Sequence, residues 1–161
     1  MDFANFSLLP FFEWCEASWI GNLIRDSLWL FPVIEAVHLL GLCVLGGAVL
    51  ILDLRMLGFG LRHPIDEVAR SARPWLFGAI VVMLMTGTAL FLSESIKCYY
   101  NTSFWVKITT LPIALLFAFT WHRRVALASG ADVTARTRSA ALISMVLWFT
   151  VAAAGRWIGF S

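Results

Sequence analysis

Four long runs of apolar residues, parted by short polar breaks, dominate the chain. A helix needs about 20 mostly apolar residues to cross the hydrocarbon core of a bilayer, and each run reaches that length. The first predicted span covers about residues 28–57, with Glu35, His38, Asp53 and Arg55 inside it or at its end. The second covers about 74–96 and is free of charge until Glu94. The third covers about 104–122, with Lys107 near its start, and the fourth about 140–160, with Arg156 near its end. The breaks are short, so consecutive helices are expected to be antiparallel neighbours in one all-α bundle. No internal repeat, low-complexity segment or linker divides the chain, which reads as a single membrane domain over 1–161.

Residues 1–26 follow a different pattern. Leu8, Phe12, Cys15, Trp19 and Leu23 recur near a helical period, while Glu13, Glu16, Asn22 and Asp26 fall largely between them. This predicts an amphipathic helix, either lying in the membrane interface or capping the bundle. The acidic Asp2, Glu13 and Glu16 and the lack of a basic start argue against a signal peptide.

The basic residues set an orientation. Arg55, Arg62, Arg70 and Arg73 fall between the first two spans, and Arg123, Arg124, Arg136 and Arg138 between the last two, which is eight of the 12 basic residues. By the positive-inside bias both loops are expected on the cytoplasmic side of a bacterial inner membrane, with both termini periplasmic. Trp29, Trp105 and Trp157 would mark the outer interface, and Trp75 and Trp121 the inner one. Trp148 falls mid-span and is left unexplained by such belts.

Composition narrows the classes. Sixty per cent of the 161 residues are hydrophobic, 14% are charged and the mean hydropathy is +0.83. A soluble domain of this size cannot hide that much apolar surface. The net charge of +2 is too small for a polyanion binder, so no nucleic acid partner is expected. There is no nucleophile–base–acid constellation, phosphate loop or zinc-protease motif. The partners expected are the lipid bilayer and either further copies of the chain or a larger membrane complex. Four helices are thin for a pore, and Gly46, Gly47, Ala152, Ala153, Ala154 and Gly155 offer surfaces for close association.

Ionisable groups inside a span cost several kcal/mol and mark functional candidates. Glu35 and His38 are spaced i, i+3 on one helix face, the spacing of carboxylate–histidine metal sites. At about 1.5 Å per residue from Trp29, Glu35 lies about 9 Å and His38 about 14 Å below the outer interface. Met83 and Met85, counted up from Trp75, lie about 14–17 Å from the inner side and so nearly level with His38. A neutral imidazole with a thioether suits haem iron or Cu(I). Cofactor-binding candidates are therefore His38, Met83, Met85, Trp148 as a ring wall, and Arg156 for haem propionates. Metal-ligand candidates are His38, Glu35 and His122. Counted about 25 Å below Trp105, His122 sits near the inner interface, too deep to share a haem with His38. It could form a separate inner site with His63. Each group also has a bland alternative. His38 could donate across the bundle to Glu35 or a Thr, the methionines could pack, and His122-Arg123-Arg124 could meet headgroups. Asp53 and Arg55 suit a salt bridge or a contact with the following loop. Gly41 and Gly87 suit close helix approach, and Cys15 and Cys98 could pair as a disulfide on an oxidising side.

The run Glu35-Ala-Val-His38-Leu-Leu-Gly41, then Gly46-Gly47, then Asp53-Leu-Arg55-Met-Leu-Gly58, resembles the first helix of a family of small bacterial inner-membrane proteins. That resemblance extends to Arg73-Pro74-Trp75 and Trp121-His122-Arg123, and so over nearly the whole chain. More distantly, helix 1 resembles the membrane part of copper-resistance D-type proteins. The first family implies four helices and no particular activity. The second implies copper handling or a b-type haem, carried onto His38 alone. The dense Met and His clusters of a dedicated copper importer are missing.

The expected function is a membrane protein holding haem b or copper at His38, for electron transfer or metal handling. The alternatives are a transporter or channel subunit using Glu35 and His38 as a proton or ion relay, and an accessory structural subunit.

Overall fold

The computed structural model describes residues 8–60 and 62–160. Residues 1–7 of the expected N-terminal amphipathic segment lie outside the described residues. The rest of that segment is two short helices, α1 (Leu9–Glu16) and α2 (Trp19–Asp26). Pro10 suits the first turn of α1, where its missing N–H costs nothing. Ser18 breaks the two apart and caps α2, its hydroxyl accepting from the Gly21 N–H at 3.1 Å.

Four long helices follow. α3 is Leu30–Leu57, α4 is Ile65–Ser93, α6 is Thr102–Ala128 and α7 is Ala135–Ile158, with a short α5 (Ser95–Tyr100) before α6. All four are long and apolar enough to cross a membrane, with mean hydropathies of 2.2, 2.1, 1.5 and 1.6 over their most apolar stretches. Only 6–22% of those stretches is buried within the protein, so most apolar side chains face outward, where lipid satisfies them. The chain is an all-α integral membrane four-helix bundle.

Helix limits differ from the hydropathy spans for local reasons. α4 starts at Ile65 rather than near Pro74, because Asp66 and Glu67 favour its first turn and Asp66 pairs with Arg70 at 3.7 Å. Pro74 sits inside the helix, where it removes the N–H that would bond the Arg70 carbonyl. α7 starts at Ala135 through a Thr134–Thr137 capping box. α3 ends at Gly58, whose φ of 97° permits the 6→1 bond from Phe59 N–H to Leu54 O at 2.9 Å.

In the bundle α3 packs between α4 and α7, and α7 packs on α6. α4 meets α6 mainly through the Arg123–Ala128 end. Two cores hold the helices. Met56, Ile65, Val125, Ala126, Ala140 and Ala141 fill the end that carries the arginine-rich loops, here called the arginine end. Leu45, Ala79 and Ile80, backed by Met83, Leu115 and Trp148, form an apolar layer further up. Gly41 and Gly87 do allow close approach, against Met83 and His38 respectively, whereas Gly46 and Gly47 meet nothing within 4 Å and face away from the rest of the chain.

Arg55 locks the arginine end. Only 8% exposed, it donates from Nε to the His63 carbonyl at 2.6 Å and from Nη2 to the Ala131 carbonyl at 3.2 Å. Arg55 thus ties the two interhelical loops to each other. Charged hydrogen bonds contribute about 1.5–3 kcal/mol each, so Arg55→Ala is expected to lower stability by about 2–4 kcal/mol, read as a lower melting temperature in detergent.

At the opposite end, Phe12 is buried among the rings of Phe91, Tyr99, Phe104 and Trp105. Glu16 pairs with Arg25 at 3.4 Å and accepts from the Ile96 N–H at 2.7 Å. Arg25 also reaches the Ser93 carbonyl at 3.2 Å. Cys15 and Cys98 are both buried and free. Burial pushes both thiols up, Cys98 to about 11 with Glu94 adding to it. Because the thiolate is the reactive form, both should resist maleimide at about neutral pH and react after denaturation. Ready labelling of the folded protein would contradict the docking of α1 and α5.

Candidate functional site

A buried polar contact in the bundle joins Asp53 of α3 to His122 of α6. The His122 Nε2–H donates to Asp53 Oδ1 at 2.6 Å, with Asp53 fully buried and His122 5% exposed. His122 belongs to a π-helical turn, Ala118–His122. Such a turn inserts a residue into the helical spacing and re-aims a side chain, and it recurs at functional sites. Asp53 Oδ2 and Ser144 Oγ are both buried without a hydrogen-bond partner among the described residues. Ser144 of α7 lies beside the carboxylate, close enough to stabilise its charge but outside bonding geometry. A buried carboxylate with one free oxygen is costly in an apolar bundle.

A cavity of about 140 Å³ opens beside this pair. All four long helices wall it, and its lining includes His122, Ser144 and Trp148 together with Arg70, Arg73 and Arg123. It lies between α4 and the 118–127 stretch of α6. The His122 Nδ1 has no hydrogen-bond partner among the described residues. With Nε2–H committed to Asp53, Nδ1 is the nitrogen that can take up a proton. A proton taken up by the pair makes its charge one unit less negative.

The residues expected from the sequence divide between places. His38 is half-buried at the α3–α4 contact, where its Nδ1 lies 2.8 Å from Thr86 Oγ1. The Thr86 hydroxyl already donates to the Val82 carbonyl at 2.6 Å. It therefore accepts from His38 Nδ1–H, which leaves the Nε2 lone pair available. Met83 lies one turn toward the arginine end on the same contact, against Gly41. Met85 is 69% exposed on the outer surface. Glu35 is exposed, and Thr86, not Glu35, is the partner of His38. Arg156 is exposed, its guanidinium 4.2 Å above the Phe160 ring. The Lys107 ammonium lies in the bundle against Gly155. Trp148 joins the apolar layer and the cavity wall rather than the His38 level. His63 is exposed and pairs with Glu67 at 3.9 Å, away from His122. Asp53 finds His122, and Arg55 holds the loops.

Among the described residues no group of three or more His, Cys, Asp or Glu is placed to hold a metal ion. The donor set at His38 is one imidazole with a thioether a turn away. That set could supply one ligand to a haem iron, or a His and a Met to Cu(I).

Sequence reasoning missed Asp53, Ser144, Arg70, Arg73 and Arg123 as members of one site. A depth argument could have found the pair, since Asp53 and His122 both stand near the same end of their helices. The π turn that aims His122 at α3 has no sequence signature.

Residues 11–161 match the model of a family of unknown function, DUF6644. The chain belongs to that family. No curated protein and no solved structure matches it. For this DUF6644 member, function is therefore argued from the site itself.

Proposed function

We propose that this DUF6644 chain is a membrane-embedded, proton-linked binding subunit of the transport class, working through the Asp53–His122 pocket. The observation that carries this reading is the buried 2.6 Å contact between Asp53 and His122, with the carboxylate's second oxygen unpartnered and a cavity alongside. Ionisable groups held inside a membrane bundle are costly and are kept for proton or ligand handling. The relay expected at Glu35 and His38 moves in this reading to Asp53 and His122. The Leu45–Ala79–Ile80 layer separates this pocket from His38, so the proton exchanges with one side only. The arginine distribution makes that side the cytoplasm of a bacterial inner membrane, with the termini periplasmic. The polar groups lining the cavity beside the pair are Arg70 and Arg73 from α4, Arg123 from α6 and Ser144 from α7, and Arg55 lies two residues along α3. Gly46 and Gly47, turned outward, suit contact with another copy or a complex partner.

The test is the infrared carboxyl signal of Asp53 in oriented proteoliposomes. The expected result is a band that is absent in Asp53→Asn and changes with pH only on the arginine side. A band that responds to pH on neither side would make the pair structural and overturn this reading.

A second reading keeps His38 as ligand to haem b or copper, favoured by the Thr86 bond that frees its Nε2. Protein purified from haem- and copper-replete cells should then show a reduced-minus-oxidised spectrum or bound copper that His38→Ala loses. Colourless, metal-free protein would discard it.

A further inference from the structure

We infer that the pocket beside Asp53 and His122 binds a tetrahedral oxyanion, of the phosphoryl class, from the arginine side. This rests on the proton-linked reading above and names the ligand class of the same site.

The first observation is charge. Arg70, Arg73 and Arg123 converge on one cavity from two helices. Arg70 is paired with Asp66 at 3.7 Å, but neither Arg73 nor Arg123 has an ion-pair partner among the described residues. Exposed arginines near a membrane end often only meet headgroups, so charge alone would decide nothing. The second observation lies deeper. The Ser144 Oγ, beside the Asp53 carboxylate, lines the cavity, is 1% exposed and makes no hydrogen bond among the described residues. A buried hydroxyl without a hydrogen bond at the wall of a largely apolar cavity is a vacant donor. His122, once protonated at Nδ1, is another. A guanidinium rim with two buried donors at its floor is the arrangement that holds a tetrahedral anion.

The third observation is size and balance. About 140 Å³ fits a phosphoryl group with a few waters and excludes a large ligand. The Asp53 carboxylate would repel an anion, but it is not among the residues lining the cavity, and a proton taken up by the pair would lower that repulsion. Anion and proton therefore favour each other's binding, so affinity should rise as pH falls. The exposed Arg73 and Arg123 at the cavity's rim leave two sources open, an anionic lipid headgroup or a soluble phosphate from the arginine side.

The experiment uses the full chain in nanodiscs. In phosphatidylcholine discs, inorganic phosphate is titrated and followed by calorimetry and by the His122 ring resonances. In parallel, discs containing phosphatidic acid are tested for lipid retained through delipidation by native mass spectrometry. Arg73→Gln, Arg123→Gln and Ser144→Ala are each expected to weaken binding by about tenfold or more, the effect of losing a hydrogen bond to a charged group. Arg138→Gln, exposed at the same end but outside the cavity, should change it by less than about twofold. Saturable phosphate binding in neutral discs supports a soluble oxyanion. Retention of phosphatidic acid alone supports a headgroup site. Binding in neither arm overturns the proposal, and so does a loss in Arg138→Gln equal to that in Arg123→Gln. Ser144→Ala keeps the test valid, because losing an unpartnered hydroxyl should not unfold the protein. Sulfate, whose charge is constant over the range, separates the two readings. Sulfate binding without pH dependence keeps the anion site and removes the proton link. An Asp53 band that titrates without any anion binding does the reverse.

Discussion

Asp53→Ala is expected to destabilise the protein by about 3–5 kcal/mol, the cost of leaving one member of a buried ionic pair alone. The substitution removes the partner of His122, a side chain 5% exposed in the membrane-spanning part of α6. Asp53→Asn should cost less, because the amide oxygen can still accept from His122 Nε2–H. Replacing both partners with apolar residues of similar size, Asp53→Leu with His122→Phe, should recover much of the stability, since apolar packing of a buried site often equals or exceeds an ion pair. Unfolding in detergent, followed for the parent, Asp53→Leu, His122→Phe and the double variant, gives the coupling directly. A double variant that is stable yet binds no phosphate would show that the pair is retained for chemistry. A double variant no better than Asp53→Ala would mean that the site cannot repack, and that its polarity is integral to the fold.

Gly21→Ala should destabilise the protein, whereas Gly46→Ala should stabilise it, although both glycines are helical. In a helix interior Gly→Ala is worth about 0.5–1 kcal/mol in favour of alanine. At Gly46 nothing lies within 4 Å of the new methyl, so the propensity gain stands alone. At Gly21 the methyl would collide with the backbone carbonyl of Leu92 and meet that of Glu16 at 3.0 Å. Leu92 belongs to the last turn of α4, which cannot yield as a flexible side chain could. Overpacking of this kind costs about 1–3 kcal/mol. The relief is for α2 to lift off α4, which would release the Arg25 bond to the Ser93 carbonyl and unseat Phe12 from its ring cluster. Thiol labelling is a second readout. Cys15 and Cys98 should become reactive in Gly21→Ala and stay protected in Gly46→Ala. A Gly21→Ala protein as stable and as unreactive as the parent would contradict the close docking of α2.

Some of the candidate site was legible in the residues and some was not. His38 drew attention as an imidazole at mid-membrane depth, and it does sit at a helix contact with an available Nε2. Glu35 drew attention by its i, i+3 spacing from His38, yet it is exposed. Spacing places two residues on one helix face but does not say how far that face turns toward a neighbour. His122 drew less attention because the His-Arg-Arg run also reads as a helix end meeting headgroups. The π turn re-aims it by one residue's rotation, inward to Asp53. Asp53 reads as a partner for the following loop because it stands near the inner end of the first span. The helix does end at Leu57 as its apolar run predicts, but it is Arg55 that holds the loops, while Asp53 turns inward to His122.

Taken alone, the amino-acid sequence determined that this is a four-span helical membrane protein, because apolar run length is a one-dimensional property that the bilayer reads directly. It also determined which ends carry the arginines, and that ionisable groups stand inside the spans. Only the tertiary structure decided which of those groups meet. Helix rotation and crossing depend on how Gly41, Gly87 and the alanines of α7 let neighbours approach, and on one π turn. Those are properties of pairs of helices, and they brought Asp53, His122 and Ser144 from three of them to one cavity.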